Sequence, residues 1–145
     1  MKKIDLNIAR TIIRESFTKG REMGLKALSV IVLDPGGHVI AFEREDGASP
    51  GRFSIAHAKA YGTVMLGMPG SAQMNRAEQQ DYFMNAVNGA FDGRVIPVPG
   101  GILIKNEDGD VLGAVGVTGD IRTVPSFWLD PKSGDHAAQS CAEPF

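Results

Sequence analysis

The sequence predicts a single domain of α+β class. Three observations predict it: an amphipathic helical period near the start, two apolar runs folded back on themselves by turn residues, and helical segments between those hairpins in place of a strict strand–helix alternation. A chain of 145 residues suits one core and is short for two.

From Asp5 to about Met23, Leu6, Ile8, Ala9, Ile12, Ile13 and Phe17 recur at helical spacing, with Asp5 placed to cap the start and Gly24 to end the helix. Ala27 to Leu33 is short, apolar and rich in β-branched residues, Asp34-Pro35-Gly36-Gly37 supplies a turn, and Val39 to Phe42 is apolar again. This reads as a hairpin in which Gly36 takes the positive φ. The polar stretch Glu43 to Arg52 leaves the sheet, and a helix starts near Phe53 and runs to about Met68, where Pro69-Gly70 stops it. A further helical segment is expected from Ser71 to about Asn88.

Val95 to Val98 is expected as an edge strand, because Pro97 and Pro99 cannot donate into a central ladder. Pro99-Gly100-Gly101 follows as a loop. Ile102 to Lys105, the turn Asn106-Glu107-Asp108-Gly109, and Val111 to Val117 form a second hairpin, and Asp135 caps an expected terminal helix reaching about Cys141.

Composition excludes several classes. The formal charge of −2, with basic residues scattered, gives no electrostatic footprint for nucleic acid. No apolar run is long enough to span a bilayer, so no membrane partner is expected. Asp5, Asn7, Arg10 and Arg14 interrupt any signal-like apolar stretch after Met1-Lys2-Lys3, and Cys141 has no second cysteine to pair with. A cytoplasmic protein is the expectation. His38, His57 and His136 show no zinc-ligand spacing, and Asp108 and Asp110 lack the rest of a calcium loop. No metal site is expected.

The candidate site residues are few. Lys59 lies on an apolar helix among Ala56, Ala58 and Ala60, where partial burial would lower its pKa. Such an amine can hold an anion, act as acid or base, or form a Schiff base; taken alone, it reads more simply as a lysine reaching past an apolar surface to water. Gly100 and Gly101 can turn consecutive N–H groups toward an anion, or serve as a plain strand-entry turn. Arg44 and Arg52 flank the loop after the first hairpin and can fork onto a carboxylate or phosphate, or serve equally as a solvated loop pair. His57 lies two residues from Lys59 and so on a different helix face, although either could reach a pocket at the helix edge, and a histidine can ligate haem iron or simply lie on the surface. Gly113, Gly116 and Gly119 lie along a hairpin with no helix opening after them, which removes a dinucleotide reading and leaves close packing as their role.

These segments fall in a familiar order: Val30-Ile31-Val32-Leu33-Asp34 with Gly36-Gly37, Arg44-Glu45-Asp46-Gly47-Ala48, Ile55-Ala56 with Lys59-Ala60, and Pro99-Gly100-Gly101. Asp108-Gly109, Gly113-Ala114-Val115-Gly116-Val117-Thr118-Gly119, and Asp135 with Ala137-Ala138 continue it. The set resembles the GlcG/HbpS-like family over nearly the whole chain, 1–145. The resemblance implies a profilin-like α-β-α layering with a five-stranded antiparallel sheet, and assembly into homo-oligomers. It also implies a small-molecule ligand, with haem or another tetrapyrrole as one possible cofactor. Family members look like haem-binding or haem-sensing proteins, appendages of corrinoid enzymes, or companions of catabolic operons.

The resemblance makes Lys59, Gly100, Gly101 and Asp135 the shared pocket, with Lys59 and Asp135 the catalytic pair if the protein is a cofactor-independent isomerase, hydratase or lyase. Residues 120–134 look like an insertion relative to the family pattern. Its Trp128, beside Phe127, would close over the pocket or fill a neighbouring subunit, and it reads equally as a latch over the sheet edge.

Overall fold

The computed structural model describes residues 3–121. Helix α1 (Leu6–Glu22) begins where expected, because the Asp5 carboxylate accepts a 2.8 Å bond from the Ile8 N–H. It ends as the glycine predicts: Gly24 adopts φ +67, its N–H donates to Arg21 O, and the Leu25 N–H donates to Gly20 O. One stripe of α1, formed by Ala9, Ile12, Ile13, Ser16 and Gly20, is buried. Burying Ile12 and Ile13 stabilises the fold by roughly 1.5–3 kcal/mol each.

Strands β1 (Ser29–Leu33), β2 (Val39–Arg44), β3 (Gly101–Lys105) and β4 (Val111–Thr118) form one antiparallel sheet in the order β2-β1-β4-β3. The expected fifth strand is absent among the described residues. Val95–Val98 stays irregular: the Val95 N–H goes to Asn88 Oδ1, the Val98 N–H closes back onto Ile96 O, and Pro97 has no N–H to offer a ladder.

Both hairpins close by the same device. Asp34 Oδ1 accepts from the Gly36 and His38 N–H groups, and Asn106 Oδ1 accepts from those of Asp108 and Asp110. Each turn then returns through a glycine at positive φ, Gly37 at +83 and Gly109 at +86. The positive φ therefore falls one residue later than Gly36, at the last position of a three-residue loop, where the chain rejoins the twisted ladder.

Helix α2 (Arg52–Leu66) is followed by two helices, α3 (Gly70–Gln79) and α4 (Asp81–Ala90), where one segment from Ser71 to Asn88 was expected. The break is at Gln80, φ −143 and ψ 64, which lets Asp81 sit in the first turn of α4. Alternation along the strands divides the core. Val30, Val32, Ile102, Ile104, Val115 and Val117 face α1, whereas Ile31, Leu33 and Ala114 face Ala56 and Ala60 of α2.

The approach of α2 is set by glycine. Gly101 of β3 and Gly116 of β4 are register partners. A Cβ at Gly116 would overlap Ala56 O, and one at Gly101 would overlap Thr63 Oγ1 and sit 2.5 Å from Lys59 O. Helix backbone thus rests directly on sheet backbone. Gly101→Ala is expected to destabilise the fold by about 1–3 kcal/mol in urea unfolding. Gly51→Ala, with nothing within 4 Å of its added carbon, should stay within about 0.5 kcal/mol of the parent.

Candidate functional site

A half-open cleft of about 440 Å³ lies where the N-terminal half of α2 meets the end of β4, lined by Lys26, Arg52, Lys59, Thr118, Gly119, Asp120 and Ile121. Each polar wall has an identifiable support. Lys59 follows Ala56 by three residues, so the face of α2 that rests on the sheet carries it inward. Its amine donates a 3.2 Å bond to Val117 O, and only 9% of the residue is exposed. Arg52, seven residues earlier on the same stripe, donates from Nη1 to Thr118 Oγ1 at 2.9 Å. The two cationic heads are therefore tied to consecutive residues of β4.

Lys26 belongs to a pinned loop. Its N–H donates to Asp120 Oδ2, its carbonyl accepts from Arg21, and Glu45 Oε1 holds both Arg21 and the Leu28 N–H. Among the described residues the cleft gathers three cationic side chains against one carboxylate, an arrangement that suits an anion. Burial, and secondarily the Arg52 charge, push the Lys59 pKa down to about 8. An anion beside Nζ would restore its charge.

Gly100 and Gly101 adjoin Lys59, and their lack of a side chain is needed for that packing. At φ +120, a Cβ on Gly100 would lie 2.6 Å from Val117 O and 3.0 Å from Lys59 Nζ. The Gly100 carbonyl accepts from the Val117 N–H, fixing the strand beside the amine.

The remaining sequence candidates are distributed differently. Arg44 lies in the same cross-strand row as Ser29 and Thr118 but two strands away and exposed, outside the cleft lining. Ser29, between them, keeps a buried hydroxyl with no hydrogen-bond partner. His57 lies outside the cleft lining, in a ladder along α2: its ring stacks on Phe53 at 5.9 Å and Tyr61 at 5.4 Å, with Phe42 and Phe91 edge-on at the two ends. Burial and the nearby Arg94 lower its pKa, so the imidazole is neutral at pH 7. Arg94 itself stacks over Tyr61 at 4.4 Å. Trp128 and Asp135 lie outside the described residues, as does all of the 120–134 segment beyond Ile121. Sequence reasoning missed Lys26, Thr118 and Asp120. No local pattern signals them, since the Lys26–Asp120 bond spans 94 positions.

Fold and site together define a small antiparallel α+β domain with a cationic cleft at a helix–sheet seam. The chain belongs to the HbpS-like family, whose model, described as haem degrading protein HbpS-like, matches residues 4–123. Comparison with curated proteins gives no match. Among solved structures, protein ORFY of Klebsiella pneumoniae superposes with TM-score 0.77 at 21% identity, over 98% of this chain and 90% of that one. A double mutant of Streptomyces reticuli HbpS gives 0.69 at 22%, over 98% and 86%. The PduOC complex with haem gives 0.75 at 15%, over 97% and 93%. At such identities the likeness is one of fold.

The lowered Lys59 pKa has a definite sign in stability. Below about pH 8 the folded protein carries a poorly solvated ammonium; as pH rises from 8 toward 10.5, the folded amine has lost its proton while the unfolded one still binds it. This group's contribution to stability therefore increases across that window. Lys59→Met is expected to remove the increase, as read from urea midpoints at pH 7 and 9.5, and NMR of labelled lysine should show one amine titrating near 8.

Proposed function

We propose that this protein binds a small carboxylate-bearing ligand in the Lys59 cleft. One observation carries the reading: Lys59 and Arg52, on one stripe of α2, bring two cationic heads to adjacent residues of β4 at the wall of an open cleft. A guanidinium already oriented by Thr118 loses little freedom on meeting a carboxylate, and the Lys59 ammonium supplies a second charge-assisted bond.

Haem is the ligand class that the family description and the PduOC complex bring forward. The cleft suits its propionates. Among the described lining residues there is no His, Met, Cys or Tyr for the iron. The support is therefore for recognition of the acidic edge, which a free carboxylic acid shares.

A second reading, favoured by the Lys59 pKa near 8, is a cofactor-independent enzyme in which this amine takes a proton from a bound carboxylic acid or returns one. Exchange of carbon-bound hydrogen with deuterated water, lost in Lys59→Met, would support it; exchange unchanged in that variant removes Lys59 from such chemistry.

Calorimetric titration with acetate, succinate and haem tests the binding reading. Lys59→Met and Arg52→Gln should each weaken binding at least about tenfold, the equivalent of one lost charge-assisted hydrogen bond. Binding should also take up protons at pH 8–9, seen as a dependence of the heat on buffer ionisation, because the anion raises a lowered pKa. Affinity that neither substitution changes would place the ligand elsewhere. A haem spectrum insensitive to both would restrict the cleft to other acids.

A further inference from the structure

We infer that Lys59 is a carbonyl-reactive amine and that the cleft takes 2-oxo acids, holding them as a reversible imine. This rests on the carboxylate-binding reading and goes beyond it, from a site for a charged group to a covalent site for a neighbouring electrophile.

Three features place the reacting groups. The Lys59 amine opens on the cleft and has a backbone carbonyl, Val117 O, as its protein partner, which fixes its position without neutralising a charge on it. Arg52 is fixed one residue further along β4 through Thr118, so a carboxylate seated on its guanidinium lies beside Nζ. In a 2-oxo acid the carbonyl carbon is bonded directly to the carboxylate carbon, so an acid held by Arg52 carries its electrophile next to the group that the guanidinium holds, on the side of the cleft that Lys59 also lines.

The chemistry balances without a redox partner. The lone pair of the neutral amine attacks the carbonyl carbon, the C=O bond opens to a carbinolamine, and both amine hydrogens leave with the carbonyl oxygen as water, giving C=N. Lys26 and Arg52 stabilise the alkoxide that forms on attack. Thr118, Asp120 and the open mouth of the cleft supply and accept the protons that move. Burial lowers the pKa to about 8, so a minor neutral fraction exists near neutrality where an ordinary lysine has almost none; a carboxylate on Arg52 draws that fraction down, and attack by the neutral amine is therefore faster toward pH 9.

The full chain, incubated with pyruvate or glyoxylate and sodium cyanoborohydride, should acquire a secondary amine on Lys59, located by peptide mass spectrometry. Modification of Lys59 should be faster than at any other lysine by on the order of a hundredfold, given its larger neutral fraction. Arg52→Gln should slow it several-fold, and acetate, which has the carboxylate but no reactive carbonyl, should compete. Modification spread evenly over exposed lysines overturns the inference. If pyruvate binds in the calorimeter with no adduct at Lys59, the imine is excluded while carboxylate binding stands. If neither pyruvate nor acetate binds, both readings fall together.

Discussion

Helix α2 can lie where it does only because two facing strand residues have no side chain. The Gly101–Gly116 pair lets the carbonyls of Ala56 and Lys59 come down onto the sheet, at a separation that a single methyl group would prevent. Much else follows from that contact. The Thr63 hydroxyl, pressed against Gly101, turns back to bond Lys59 O at 2.8 Å, and Ala60 fits over Gly116. With the helix this low, the Lys59 amine reaches a backbone carbonyl of β4. Gly100 supplies the remaining space. The lysine is thus part of how the helix docks.

That placement has a cost which gives the site its character. An ammonium held at a helix–sheet seam loses hydration and gains one carbonyl, and the neighbouring guanidinium opposes it. Asp120 is the one carboxylate among the described residues of the cleft wall, and it also accepts the Lys26 N–H. Among the described residues this leaves an electrostatic imbalance, and under the proposed function an anion would gain binding energy by relieving it as well as through new contacts.

The parts of the fold that could be read from sequence are those fixed by neighbours along the chain. The α1 helix with Asp5 before it and Gly24 after it, and both hairpins with their Asp or Asn and glycine turns, need only a few consecutive residues to specify them. Errors arose where a local pattern had two outcomes. Val95 to Val98 has the composition of an edge strand, but its N–H groups found partners in Asn88 and Ile96; the run from Ser71 to Asn88 has a helical period that Gln80 interrupts. The cleft was legible only as an order of residues. Lys59 and Gly100-Gly101 adjoin, and Arg52 shares their wall through a bond spanning 66 positions; Thr118 stands within the ordered segments and Asp120 at the start of the 120–134 segment, but nothing local marks either as a site residue because their partners come from distant parts of the chain.

The separation of His57 from Lys59 limits what any single ligand can use. Two residues along a helix turn the side chain by about 200°. Lys59 consequently faces the strand ends with Arg52, while His57 is sandwiched on both ring faces in the Phe53–Tyr61 ladder. Moving either residue into the other's environment would require rotating α2 about its axis, and the Gly101–Gly116 contact forbids rotation because any other face would press a side chain into the sheet. The helix therefore keeps its charged and aromatic residues apart by packing alone, and the proposed acidic ligand would meet Lys59 and Arg52 without displacing the histidine.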